Sequence, residues 1–151
     1  MRKFLDSNVL VYTDDADEPA RQRRALDLVE EARLSGSGVV STQVLQEYFV
    51  ATTRKLGVDA VLAAQKVHLF SRLDVVVIDV PDVEAAIDLH RLHRVSFWDA
   101  LILRAAQRGG CRVLYSEDLQ DGATLAGVRI ENPFALPGGP RPRAGAPKRR
   151  R

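Results

Sequence analysis

Only one cysteine, Cys111, occurs in the 151 residues. No disulfide can form within the chain, so the sequence reads as a protein of a reducing compartment. Histidine is nearly as scarce. His68, His90 and His93 accompany no second cysteine, so a Cys/His zinc site is excluded. His90 and His93 share a helix face and read as surface residues. No apolar run approaches the roughly 20 residues of a membrane span. A secretory leader needs roughly 7–15 uninterrupted apolar residues, and Asp6, Ser7 and Asn8 break the first run almost at once. The expected location is therefore cytoplasmic, with no membrane partner. No internal repeat is visible.

What is present describes one soluble domain. Apolar residues make up 46% and charged residues 28%, which suits a globular chain rather than a disordered one. A chain of this length buries a full core without disulfides or a structural metal. The formal charge of +2 conceals an asymmetry. Arg141, Arg143, Lys148, Arg149, Arg150 and Arg151 supply six positive charges beyond Leu136 and no negative ones accompany them, which leaves the body at −4. An acidic body does not grip phosphates over a broad basic face. The expected division is a domain over 1–135 and a disordered, basic, Pro/Gly/Arg-rich tail over 136–151, either a weak contact for RNA or a partner or a plain solvated end.

The pattern of elements points to an α/β fold, three layers deep, with a parallel sheet between helices. Short strands are expected at Lys3–Leu5, Val39–Val40, Val75–Ile78, Arg112–Tyr115 and Val128–Ile130. Helical spacing is expected over 19–34, from 42 to about 55, over 59–71, from about 82 to 93 and over roughly 97–108. Pro19 suits a first turn, Ser41-Thr42 and Ser96 offer caps, and Gly57 and Gly109-Gly110 offer stops.

In open parallel sheets, ligands bind beyond the carboxyl ends of the strands. Asp6 directly follows the first strand, and Ser116, Glu117 and Asp118 follow the fourth. Asp99 and Glu47 lie early in helices that begin near the same edge. Each acid also has a plain reading: Asp99 in a capping box, Glu47 on a solvated helix face, Asp6 in a turn, Asp118 as a helix cap. Their convergence from four distant stretches carries the argument. Crowded carboxylates repel, and a hard divalent cation such as Mg²⁺ or Mn²⁺ relieves this through oxygen ligands. Such an ion polarises a phosphodiester and makes water acidic enough to attack it at neutral pH.

These residues resemble a known family. Asp6-Ser7-Asn8 after a first strand is similar to the opening Asp-(Thr/Ser)-Asn of PIN domains. Phe97-Trp98-Asp99-Ala100-Leu101-Ile102 resembles the block carrying their third acid. The stretch Leu114-Tyr115-Ser116-Glu117-Asp118-Leu119-Gln120-Asp121-Gly122, and Asn132-Pro133-Phe134, resemble the closing blocks of bacterial VapC-type toxins of type II toxin–antitoxin systems. The resemblance covers about 2–135. It implies a parallel five-stranded sheet and makes Asp6, Glu47, Asp99 and Asp118 the catalytic, metal-binding acids. Ser7, Asn8 and Ser116 become supporting residues, with Glu117 and Asp121 as additional acids. It further implies a metal-dependent endoribonuclease acting on tRNA, rRNA or mRNA, a homodimer, and a VapB-type antitoxin that places a basic side chain among the carboxylates and buries an apolar groove formed by the helices at 42–71.

Two other functions compete. A PIN nuclease outside a toxin–antitoxin system would run the same RNA chemistry. A receiver-like Mg²⁺-binding signalling module would need a late ordered lysine, and none occurs between Lys66 and Lys148. Asp79 reads as a helix cap on an edge strand, and Asp14, Asp15, Asp17 and Glu18 read as an acidic run favoured by a helix dipole. Trp98 beside a helix start reads as packing more readily than as a substrate contact.

Overall fold

A computed structural model of the chain describes residues 1–135, so the expected tail over 136–151 lies outside the described residues. The strands are β1 (Lys3–Leu5), β2 (Gly38–Ser41), β3 (Asp74–Val76), β4 (Val113–Tyr115), β5 (Thr124–Leu125) and β6 (Val128–Glu131). They form one sheet in the order β3-β2-β1-β4-β6-β5. Five strands run parallel, as expected. The sixth is a correction to the expected count of five. β5 is two residues long and pairs antiparallel with β6. It turns back through Ala126 and Gly127, both at positive φ, and is too short to show a period of its own.

Successive strand residues point to opposite faces. Phe4 with Leu5, and Val39 with Val40, are all fully buried, so the central strands are covered on both sides. Their apolar residues are continuous rather than alternating for that reason.

The helices are α1 (Ser7–Tyr12), α2 (Pro19–Ser35), α3 (Thr42–Lys55), α4 (Ala60–Phe70), α5 (Val80–His93) and α6 (Phe97–Arg108). Five match the expected stretches. α1 was not expected. Its sequence, Ser-Asn-Val-Leu-Val-Tyr, is poor in helix formers, and six residues are too few for a helix to hold alone. Burial holds it instead: Val9 and Leu10 are wholly enclosed. Asp6 caps it by accepting from the Ser7 N–H at 2.7 Å.

Two polar braces lock the helices. The buried Tyr48 hydroxyl of α3 donates to Asp14 Oδ2 at 2.5 Å, and Lys66 Nζ of α4 donates to Asp14 Oδ1 at 2.9 Å. Burial, then the Asp14 carboxylate, pushes the Tyr48 phenol far up. Asp14 is thus a brace between helices rather than a charge serving the α2 dipole. In the second brace, Asp82 of α5 accepts from Arg104 Nε at 3.0 Å and Arg108 Nη1 at 2.5 Å of α6. Asp82 also closes a capping box with Asp79, as expected for Asp79. Burial works to raise the Asp82 pKa, but its hydrogen bonds with Asp79 and Arg104, and the charge of Arg108, hold it below the ordinary carboxylate value.

Candidate active site

The chain builds the sheet outward from β1 in one direction, to β2 and β3, then returns to lay β4 on β1's other side. That reversal lies between β1 and β4, and a parallel sheet opens its ligand crevice at such a point. Leu5 pairs with Tyr115, so the next residues, Asp6 and Ser116, emerge side by side. The Asp6 N–H donates to the Tyr115 carbonyl at 3.0 Å and fixes that register.

A hydroxyl stands on each side of the Asp6 carboxylate. Ser116 Oγ donates to Asp6 Oδ2 at 2.8 Å. The same hydroxyl accepts from the Asp118 N–H at 3.1 Å and from Asn8 Nδ2 at 3.5 Å. Ser7 Oγ has one proton to give. It stands 3.1 Å from Glu47 Oε1 and 3.5 Å from Asp6 Oδ1. The shorter contact takes the proton, since Asp6 Oδ1 is already served by the Ser7 N–H. Asn8 Nδ2 donates to Asp118 Oδ2 at 3.2 Å. Asp6, Glu47 and Asp118, from three distant stretches, are therefore joined through Ser7, Asn8 and Ser116.

The stretch that carries Asp99 meets the cluster through the backbone of its neighbour Trp98. Asp99 lies in the first turn of α6, where its N–H donates to Ser96 Oγ at 3.1 Å, and it is wholly buried. Its chain neighbour Trp98 offers a carbonyl to Gln43 Nε2 at 3.2 Å, and the same nitrogen donates to Glu47 Oε2 at 3.2 Å. Gln43 was not singled out in the sequence. Its position four residues before Glu47 on one helix was the available signal.

Two expected residues turn elsewhere. Glu117 accepts from the Tyr12 hydroxyl at 2.6 Å and pairs with Arg21 at 3.7 Å. Asp121 Oδ1 accepts from the Asn132 N–H at 2.9 Å and ties its loop to the end of β6. Trp98 is 46% exposed and meets Phe97 edge to face, so it is not simply packed away.

A groove of about 540 Å³ opens from the cluster. Ser7, Asn8, Glu47 and Asp118 line its acidic end. Val11, Tyr12, Val50, Ala51 and Leu56 give it apolar lining, and Arg54, Lys55, Asp15 and Glu18 add charges of both signs. Most of this lining comes from α1 and α3, and a separate apolar hollow on α4 is lined by Val61, Ala64, Gln65, His68 and Leu69.

The donor set is oxygen throughout: carboxylates, hydroxyls and an amide. That chemistry suits a hard cation and not a soft one. Among the described residues, no three His, Cys, Asp or Glu side chains stand as a preformed metal cage. Mg²⁺ does not need one. It keeps several waters and takes one or two carboxylates, which hydroxyl-linked acids can offer. The residues present fit such an ion.

Solved structures share this fold. A VapC20 toxin of Mycobacterium tuberculosis, described as cleaving the sarcin–ricin loop, superposes with a TM-score of 0.57 at 20% identity, over 76% of this chain and 88% of that one. A toxin–antitoxin complex from Klebsiella pneumoniae gives 0.62 at 18% identity, over 89% and 99%. A DNA-bound VapBC complex from Salmonella typhimurium gives 0.61 at 22% identity, over 87% and 97%. At these identities the likeness shows a shared fold. No curated protein matches the chain. The PIN domain family model matches residues 3–120, most of the sheet and every acid of the cluster, and the chain belongs to the PIN domain family.

Proposed function

We propose that this chain is a divalent-metal-dependent endoribonuclease, the toxin of a toxin–antitoxin pair. The observation that carries the reading is the linkage of Asp6, Glu47 and Asp118 through Ser7, Asn8 and Ser116 at the crevice between β1 and β4. Asp6, Glu47, Asp99 and Asp118 would hold Mg²⁺ or Mn²⁺. When bound, the ion offsets the charge of phosphate and carboxylates and makes water acidic enough to react near neutral pH.

The chain's own residues do the positioning. Ser7 and Ser116 donate to Glu47 and Asp6, which fixes the orientation of those carboxylates. Asn8 fixes Asp118 in the same way. Val11, Tyr12, Val50 and Ala51 offer apolar surface beside the acids, while Arg54 and Lys55 suit a phosphate backbone. The substrate in this reading is RNA: tRNA, rRNA or mRNA.

The partner in this reading is a VapB-type antitoxin, which would lay an apolar segment along the groove and aim a basic side chain at the acids. Its support is the fold shared with known toxin–antitoxin complexes. The toxin itself is taken as a homodimer.

Expression of the wild-type chain is expected to arrest growth and generate new RNA ends. Asp6→Asn and Asp99→Asn are expected to abolish both while leaving the far-ultraviolet circular dichroism unchanged. Growth arrest persisting in both variants sinks the proposal.

A further inference from the structure

Gln43 occupies an uncommon position. It lies in the first turn of α3 and is 5% exposed. Its Nε2 faces two acceptors, Glu47 Oε2 at 3.2 Å and the Trp98 carbonyl at 3.2 Å. Its Oε1 is buried and accepts no hydrogen bond. The amide orientation is unambiguous, because exchanging the two atoms would set an oxygen against two oxygens. A buried amide oxygen left unpaired is a cost to the fold and calls for an explanation.

We infer that Gln43 is a positioning residue for the metal site, holding the Glu47 carboxylate at a set distance from the first turn of the Asp99 helix. The inference rests on the proposed metal-dependent reading. Its geometry has two parts. Each Glu47 oxygen has a separate donor, Ser7 on Oε1 and Gln43 on Oε2, so the carboxylate cannot rotate without losing one. The second hydrogen of the same amide then ties Glu47 to the backbone of Trp98, next to Asp99. The two ties act together, since one amide joins Glu47 on α3 to the Trp98 backbone on α6. An apolar residue of the same size would fill the space and make neither tie. The unpaired Oε1 follows as a consequence, since both amide hydrogens are committed to one side.

The test is direct Mn²⁺ titration of the full chain by calorimetry, for wild type, Gln43→Met, Glu47→Gln and the double variant, alongside thermal melts without metal. Groups that orient metal ligands typically carry about 10–100-fold in affinity. Gln43→Met is expected to weaken Mn²⁺ binding at least about 10-fold. The metal-free melting temperature is expected to stay close to wild type. Added Mn²⁺ at saturation restores RNA cleavage. In the Glu47→Gln background, Gln43→Met adds no further loss, because its action runs through that carboxylate.

A lower melting temperature with unchanged Mn²⁺ affinity overturns the inference, as does equal weakening in both backgrounds. Where the Met variant gives no cooperative melt, Gln43→Leu replaces it. Failure of both to fold makes Gln43 structural and overturns the inference as well. Wild type binding no Mn²⁺ removes the metal-dependent reading itself, whereas wild type binding with an unaffected Gln43→Met removes this inference alone.

Discussion

Ser7 Oγ stands 3.1 Å from Glu47 Oε1 and so ties the helix that follows β1 to the second turn of α3. The residues are 40 apart in sequence, and neither has a local reason to find the other. The contact brings one hydroxyl within 3.1 Å of Glu47 and 3.5 Å of Asp6.

Ser7→Ala removes the hydroxyl and leaves the Ser7 N–H on Asp6 intact. The α1 cap therefore survives. Mn²⁺ affinity is expected to fall about 10-fold, and RNA cleavage at subsaturating metal with it. Ser7→Thr keeps the hydroxyl and should retain most of the affinity. Calorimetric titration of both variants checks this, and equal affinity of Ala and wild type would refute the role given to Ser7.

Asp82 ties α5 to α6 through Arg104 and Arg108, and its side chain is 1% exposed. Its folded pKa lies below the ordinary carboxylate value. The brace therefore stabilises fully above the unfolded value, near 3.9, and fades as pH falls through the lower folded value. The arginines are 27% and 40% exposed, so solvent screens part of the effect. Asp82→Asn is expected to cost roughly 2–3 kcal/mol at pH 7. The difference from wild type should be constant from pH 7 to 5 and shrink below about pH 4. Urea melts across that range measure it; a difference that grew on acidification would contradict the assignment.

Cys111 is buried, and that burial pushes its thiol up to about 11. The thiolate is the reactive form, so at pH 8 the folded thiol should react with iodoacetamide at least about 100-fold more slowly than in the unfolded chain. Mass spectrometry should show labelling only where urea has unfolded the protein. Rapid labelling of the folded form would show that the α6–β4 turn opens.

Gly38 begins β2, and a Cβ there would sit 2.6 Å from Ala32 Cβ of α2 and 3.1 Å from Leu73 Cδ2. Leu73 Cδ2 is the end of a side chain and can turn aside, but Ala32 is buried in α2, and its Cβ cannot yield without moving that helix. Gly38→Ala is expected to cost about 1–3 kcal/mol by overpacking. For a chain of this size that lowers the melting temperature by roughly 3–10 °C. A melt within one degree of wild type would mean that α2 shifts freely.

Much of the architecture was legible from local chemistry. Short strands were legible at Lys3–Leu5, Val39–Val40 and Arg112–Tyr115, and Phe4, Leu5, Val39, Val40 and Leu114 are wholly buried, whereas the β-branched run Val75–Ile78 ends as an edge strand at Val76 with Val77 exposed. Ser41 and Ser96 cap α3 and α6 as their position suggested, since a cap needs only a hydroxyl and the next turn's N–H. The acids Asp6, Glu47, Asp99 and Asp118 could be chosen from the ends of elements, because a parallel sheet presents its strand ends to one edge.

What the chain alone could not reveal depends on contacts between distant residues. α1 has a sequence that disfavours a helix and exists because Val9 and Leu10 are enclosed by the core. Glu117 and Asp121 lie in the right block, yet one turns to Tyr12 and the other to the end of β6, a choice set by partners far along the chain. Gln43 carries no motif, and its tie to Trp98 exists only because α6 lies against it. Residue type and spacing determined which groups were available at the sheet's edge. Tertiary packing decided which of them touch, because a hydrogen bond needs about 3 Å and no sequence pattern fixes a distance between elements that distant stretches of chain must bring together.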